Sequence, residues 1–182
     1  MSAGFARVDR DGSFTWNQVS DGAMRIEFHG LQKNGYVKAA DYGGIDVLEQ
    51  GFTPRAGSNA TLEITLSAHG AQVEGTVTDD NGLPVVGVWV VLVPDAKHRD
   101  RHDLYRTERT DQHGAFKISQ VAPGDYSLYS WDEVEDGAWE DPDFIRPFDE
   151  KKQGEKVIVQ ERDDKSLNIN VIKTSAVEGQ KQ

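Results

Sequence analysis

His98 and His102 stand four residues apart among Asp95, Asp100 and Asp103, and imidazoles with carboxylates are the ligands that zinc takes. On a helix the two rings would share one face, and a carboxylate would complete the set. Lys97, Arg99 and Arg101 interleave with them and raise the positive potential where a cation would sit. A solvated charged loop is therefore the expected reading of this stretch, with His98 and His102 kept as metal candidates only.

A second set of hard ligands runs from Asp132 to Asp143, where seven acids occur without one base. Such oxygen-rich clusters suit calcium, which takes six to eight hard ligands. The spacing is not that of a helix–loop–helix calcium site, so Asp141 and Asp143 are candidates beside a default of a loop that aids solubility. No cofactor is expected. Ser119, Ser127 and Ser130 lack the strand–turn–helix elbow of a nucleophilic serine. Paired carboxylates arise by chance in so acidic a chain, so glycosidase chemistry is unsupported.

The aromatic residues offer a different chemistry. Tyr129 and Trp131 fall at strand positions expected to face away from a core, and Trp139 and Phe144 follow in an acidic, proline-bearing loop. Rings exposed on a sheet can stack on sugar faces while carboxylates bond the hydroxyls. Tyr129, Trp131 and Trp139 are accordingly the candidate ligand-binding residues. The alternative is that they pack beneath the long segment from Asp132 to Glu155, which needs an anchor.

The elements that must position these groups read as strands. Val73, Gly75 and Val77 alternate with polar residues, and Asp80-Asn81-Gly82 supplies turn chemistry. After the turn Val86, Val88, Val90 and Leu92 fall on one side, with Val85, Trp89, Val91 and Val93 on the other. A strand apolar on both faces belongs inside a sandwich or against a neighbour. The two runs are read as a hairpin. Helix signals are weak throughout, and short strands between Gly, Pro and Asp turns indicate an antiparallel sandwich.

Composition sets the bounds. The 182 residues allow one large domain or two small ones, with a core. A net charge of −11 repels phosphate backbones, so nucleic acid is not an expected partner. The longest apolar run, Val85 to Pro94, is too short to span a bilayer, and no secretory apolar segment follows Met1. The absence of cysteine excludes disulfides without fixing a compartment.

The chain also repeats itself. Asp9, Gly12, Phe14, Gln18, Val19, Gly22, Met24 and Ile26 match Asp111, Gly114, Phe116, Gln120, Val121, Gly124, Tyr126 and Leu128, each pair 102 residues apart. Leu62, Ile64 and Leu66 match Leu167, Ile169 and Val171 at an offset of 105. So long a period means tandem copies of a domain. In this register Trp16 matches Ile118 and is expected in the core. The first copy has no counterpart of the opening hairpin, which points to a piece cut from a longer protein or, as the lesser alternative, to strands supplied by another chain. Its strands are expected at Phe5–Val8, Phe14–Val19, Met24–Phe28, Tyr36–Ala40 and Leu62–Leu66, leaving an open edge.

With these residues on the page, a resemblance appears. Gly75-x-Val77-x-Asp79-x-x-Gly82-x-Pro84-Val85-x-Gly87-Val88-x-Val90 resembles the opening of carboxypeptidase regulatory-like domains. Thr110-Asp111-x-x-Gly114-x-Phe116 and Val121-x-Pro123-Gly124-x-Tyr126-x-Leu128 resemble their second half. The first copy carries only the second-half motif, with Asp21 where the family has proline. The resemblance implies a transthyretin-like (prealbumin-like) seven-stranded Greek-key sandwich, in the wider group of starch-binding-like folds. It also implies a non-catalytic accessory role and an extracytoplasmic parent protein.

The expected fold is thus all-β: a partial sandwich unit at residues 1–69, a complete antiparallel Greek-key sandwich at 70–173 and a disordered tail at 174–182. The expected function is a non-catalytic spacer or interaction module of a larger bacterial protein that is periplasmic, surface-bound or secreted. A carbohydrate-binding module with an exposed aromatic platform is the alternative. Expected partners are other domains of the parent, a glycan, and a second copy through the open edge of residues 1–69.

Overall fold

The computed structural model describes residues 6–16, 22–24, 26, 28–54 and 60–174. Among the described residues ten strands and two α-helices follow one another: β1 (Tyr36–Tyr42), β2 (Ile45–Asp46), α1 (Val47–Gln50), β3 (Leu62–Ser67), β4 (Ala71–Thr78), β5 (Trp89–Pro94), β6 (Arg106–Arg109), β7 (Ala115–Val121), β8 (Gly124–Ser130), α2 (Pro142–Glu150), β9 (Glu155–Val159) and β10 (Asp164–Asn170). They form three sheets, in the orders β2-β1-β3, β10-β4-β7 and β6-β5-β8-β9. The seven strands β4 to β10 make the expected sandwich. Its chain passes from one sheet to the other at residues 79–88, 110–114, 122–123 and 160–163.

The turns that carry these crossings are local in origin. The Asp79 carboxylate accepts from the Asn81 and Leu83 amides at 2.9 Å each, and the Leu83 carbonyl accepts from the Asp79 amide at 2.9 Å. Asp111 repeats this with the amides of His113 and Ala115 at 2.8 and 2.9 Å. Backbone N–H groups aimed at the anion hold both carboxyls below the usual range. Thr110 locks the second turn onto the first loop: its hydroxyl accepts from the Val88 amide and its carbonyl from the Gly87 amide, both at 3.1 Å. Tyr126 closes the Val121–Tyr126 corner by donating its hydroxyl to the Ala122 carbonyl at 2.9 Å, and burial pushes that phenol up to about 12.

One expectation about pairing is corrected. The strands flanking Asp79–Leu83 are not a hairpin: β4 lies between β10 and β7, and β5 between β6 and β8 in the other sheet. Only Thr78 and Pro84 bridge across the turn. Val86 is 59% exposed rather than inward, because β5 begins only at Trp89. The β4–β10 pair is parallel, the one departure from antiparallel pairing among the strand pairs of the sandwich.

Both faces of β5 are covered. Val90 and Leu92 enter the core between the sheets with Val73, Val77, Phe116, Ile118, Tyr126 and Leu128. Val91 and Val93 enter a second core on the outer side. Val90 is fully buried, so Val90→Asp places an unpaired charge among hydrocarbons. We expect a loss of about 4 kcal/mol or more in a urea melt. A loss under about 1 kcal/mol would take Val90 out of the core.

The chain divides into two units, Met1–Ile26 with Ala39–Ile64, and Glu27–Lys38 with Thr65–Gln182. Residues 27–38 join the larger unit because they are tied to it: Gly70 donates to the Asn34 carbonyl at 2.8 Å and Gln120 Nε2 to the Gln32 carbonyl at 2.8 Å. In the smaller unit Ala40, Val47 and Phe52 are buried, with Trp16, Met24, Ile26, Tyr42, Leu62 and Ile64 packed around them. Trp16 is thus a core-packed side chain, as its match to Ile118 implied.

The repeat survives in part. Asp9 and Ser13 close the same backbone turn as Asp111 and Ala115, both at 2.8 Å, although Asp11 supplies the carboxylate. The strands Tyr36–Ala40 and Leu62–Leu66 are present as β1 and β3. The first copy does not build the sandwich sheets, however. Residues 6–8 and 13–16 are not strands, and Met24 makes a single bridge to Phe52. In the second copy β7 pairs with β4, and β8 with β5. Among the described residues no counterparts of β4 and β5 stand beside these segments, so they have no ladder to join. Its expected positions Phe5, Gln18 and Val19 lie outside the described residues, as does the tail at 175–182. Thr174, placed in that tail, is held by Asp132.

Candidate binding surface

The histidines do not converge. Residues 95–100 form turns and His102 opens a single 3-10 turn to Leu104, so no α-helix aligns the two rings. His98 Nδ1 contacts the Asp95 carboxylate, and His102 Nδ1 lies 2.7 Å from Glu140 Oε2. Of the interleaved bases, Arg101 grips Asp103 at 2.7 and 2.8 Å and Arg99 reaches away to Asp149 at 2.7 Å. The expected acidic loop is likewise dispersed. Asp132 accepts from Glu133 and Thr174, Asp141 caps α2 by accepting from the Asp143 amide at 2.8 Å, and Asp143 pairs with Arg146. Among the described residues no three such side chains form a metal-sized group.

The aromatic platform is also corrected. Tyr129, Trp131 and Trp139 are 2%, 1% and 3% exposed and form the second core with Ile145 and Phe148. Tyr129 and Trp131 stack at 5.3 Å, and Phe144 and Phe148 meet the Trp131 ring edge-on at 5.5 Å each. A sugar cannot reach these ring faces. The cover is α2, which stands in place of the expected loop. Asp141 at the N-cap, Pro142 at the first position and the spacing of Phe144, Ile145 and Phe148 were its signals. Asp149 on the same helix accepts from the Tyr129 hydroxyl at 2.6 Å and anchors it.

The concave surface lies elsewhere. A shallow groove of about 530 Å³ runs over the outer face of the β10-β4-β7 sheet. Alternation sends Val73, Val77, Phe116 and Ile118 inward, and sends Glu74, Thr76, Lys117, Ser166 and Asn168 to this face. Register aligns them in rows, Ser166–Glu74–Lys117 and Asn168–Thr76–Ala115. Lys117 donates to Glu74 at 3.4 Å, and Gln72 to Glu74 at 3.0 Å and to Asp164 at 3.1 Å. Thr76 donates its hydroxyl to Asn168 Oδ1 at 2.8 Å, and Thr78 to Asn170 Oδ1 at 3.0 Å. Polar residues at every second position of two strands are the available signal in the sequence.

A third cluster sits on the β9–β10 turn. The Glu161 carboxylate accepts from the Tyr36 hydroxyl at 2.5 Å, Ser67 Oγ at 3.1 Å and Lys38 Nζ at 3.2 Å. These donors, the Tyr36 hydroxyl foremost, lower its pKa from 4.5 to about 2. A depressed carboxylate stabilises the fold above its unfolded pKa and loses that contribution as pH falls through the folded value. We therefore expect the ties to Tyr36 and Ser67 to be intact above about pH 4.5 and lost towards pH 2. An NMR titration of the Glu161 side chain should show this, and a midpoint above about 4 would contradict it.

Comparison with protein-family models and with curated proteins finds no match. Among solved structures the chain is similar to a proposed carbohydrate-binding protein of Pseudomonas aeruginosa, at 15% identity and TM-score 0.38, covering 56% of this chain and 88% of that one. It is similar to the major pilin subunit of Bacillus cereus at 12% identity and TM-score 0.37, covering 77% and 57%. The 5-hydroxyisourate hydrolase of Klebsiella pneumoniae follows at 19% identity and TM-score 0.32, covering 55% and 90%. No helix among the described residues is long and apolar enough to cross a membrane.

Proposed function

We propose that this chain is a non-catalytic β-sandwich module of a larger, extracytoplasmic bacterial protein, holding neighbouring domains apart and presenting a binding face. The observation that carries this reading is how the ionisable groups are used. Asp79 and Asp111 close turns, Asp141 caps a helix, Asp149 anchors Tyr129, and His98 and His102 each meet one carboxylate. A general acid or base needs a pKa near the working pH and a free line to substrate, whereas these turn carboxylates are driven the other way. The motif resemblance to carboxypeptidase regulatory-like domains supports the same accessory role and compartment.

Incubating the chain with chromogenic ester, peptide and glycoside substrates should give no turnover above buffer. Turnover abolished by a single carboxylate or histidine substitution would overturn the proposal. Cell fractionation that places the parent protein in the cytoplasm would overturn the compartment.

Self-association belongs to the same reading. β3 ends its sheet and Leu66 is 57% exposed on it, and an unpaired strand edge is a template for another strand. Light scattering should give a dimer for the full chain that Leu66→Lys returns to monomer. A monomeric full chain at all concentrations would remove this partner.

A further inference from the structure

We infer that the outer face of the β10-β4-β7 sheet binds a neutral, polyhydroxylated ligand of the oligosaccharide class. The inference rests on the reading of the chain as a binding module and names its ligand. The face is preset rather than merely polar. The Thr76 amide donates to Asn168 Oδ1 at 3.2 Å and the Thr76 hydroxyl to the same oxygen at 2.8 Å. A backbone N–H must meet the carbonyl oxygen of the amide, so chemistry itself turns the Asn168 NH₂ group away from β4. The Thr78 hydroxyl meets Oδ1 of the next amide, Asn170, at 3.0 Å. Beside these donors stand the Ser166 hydroxyl and the Glu74 carboxylate, whose Oε2 takes Lys117 and Gln72. Donors and acceptors thus alternate across a rigid grid, with strands about 4.8 Å apart and successive rows about 7 Å apart.

The grid excludes other ligand classes. Glu74, Glu108 and Asp111 line the groove, which opposes phosphate and other anions, while Lys117 and Arg109 in the same lining oppose a cation. A peptide strand adds at a free backbone edge, which here lies at β10 and β7 and not at β4, the central strand that carries Glu74 and Thr76. A hydroxyl both donates and accepts, so a run of hydroxyls satisfies alternating groups that no single-sign ligand can.

Calorimetric titration of the full chain with neutral cello-, xylo-, malto- and chito-oligosaccharides tests this, with inorganic phosphate as the charged control. We expect saturable binding of at least one neutral series and none of phosphate. Asn168→Asp keeps the oxygen that Thr76 needs but replaces the outward NH₂ with an anionic oxygen. It should weaken binding about tenfold or more while moving the melting temperature by less than about 2 °C. Lys117→Met, at an exposed position, is the second variant and should weaken binding without unfolding. The absence of saturable binding across all four series overturns the inference and leaves the module reading standing. Binding that neither variant changes also overturns it. Cleavage of a bound sugar that both variants weaken would support the groove and overturn the non-catalytic reading instead.

Discussion

Gly75→Ala is expected to separate β10 from β4 and to destabilise the sandwich by about 3 kcal/mol or more, although it adds one methyl group. A Cβ on Gly75 would lie 1.6 Å from the Leu167 carbonyl oxygen and 2.7 Å from its carbon, with Phe116 Cζ at 3.1 Å on the other side. Two of these three atoms belong to the backbone of the paired strand, so no rotamer change relieves the contact. Leu167 sits opposite Gly75 in the parallel register, and seven residue pairs depend on that spacing. Hydrogen exchange should show the β10 amides losing protection ahead of those of β5 and β8. Thr76→Ala, one residue on, is the control: it removes the hydroxyl bond to Asn168 and should cost about 1 kcal/mol. A Gly75→Ala protein within about 0.5 kcal/mol of the parent would show that the strands can part without loss.

The second large effect belongs to Trp131. It is 1% exposed, stacked on Tyr129 and enclosed by Phe144 and Phe148. Trp131→Ala should empty the centre of the outer core at a cost of about 3–5 kcal/mol. Its indole N–H has no hydrogen-bond partner among the described residues, so the ring acts through packing alone. Trp131→Phe should therefore cost less than half as much as the alanine change. If α2 is held by this ring, the alanine protein should also lose the helical signal of Pro142–Glu150 before the sheet melts. An alanine variant with an unchanged melt would mean that Trp131 is not part of a core, and would return it to the surface role that its strand position first implied.

What the chain determined by itself was its local chemistry. The Asp79–Leu83, Asp111–Ala115 and Asp9–Ser13 turns involve atoms within five residues of one another, so residue type and spacing suffice to encode them. Alternation placed β1, β3, β4 and β10, and the apolar run at Val90–Val93 announced a strand buried on both faces. The tertiary structure decided everything that depends on a partner. Period two shows that a strand has two faces but not what covers the second, so Tyr129 and Trp131 were legible as outward and not as roofed by α2. A turn shows that the chain reverses but not which sheet it enters, so β4 and β5 looked paired when each lies in its own sheet. The groove arises only when Asn168 meets Thr76 across 92 residues, a register that neither strand encodes alone.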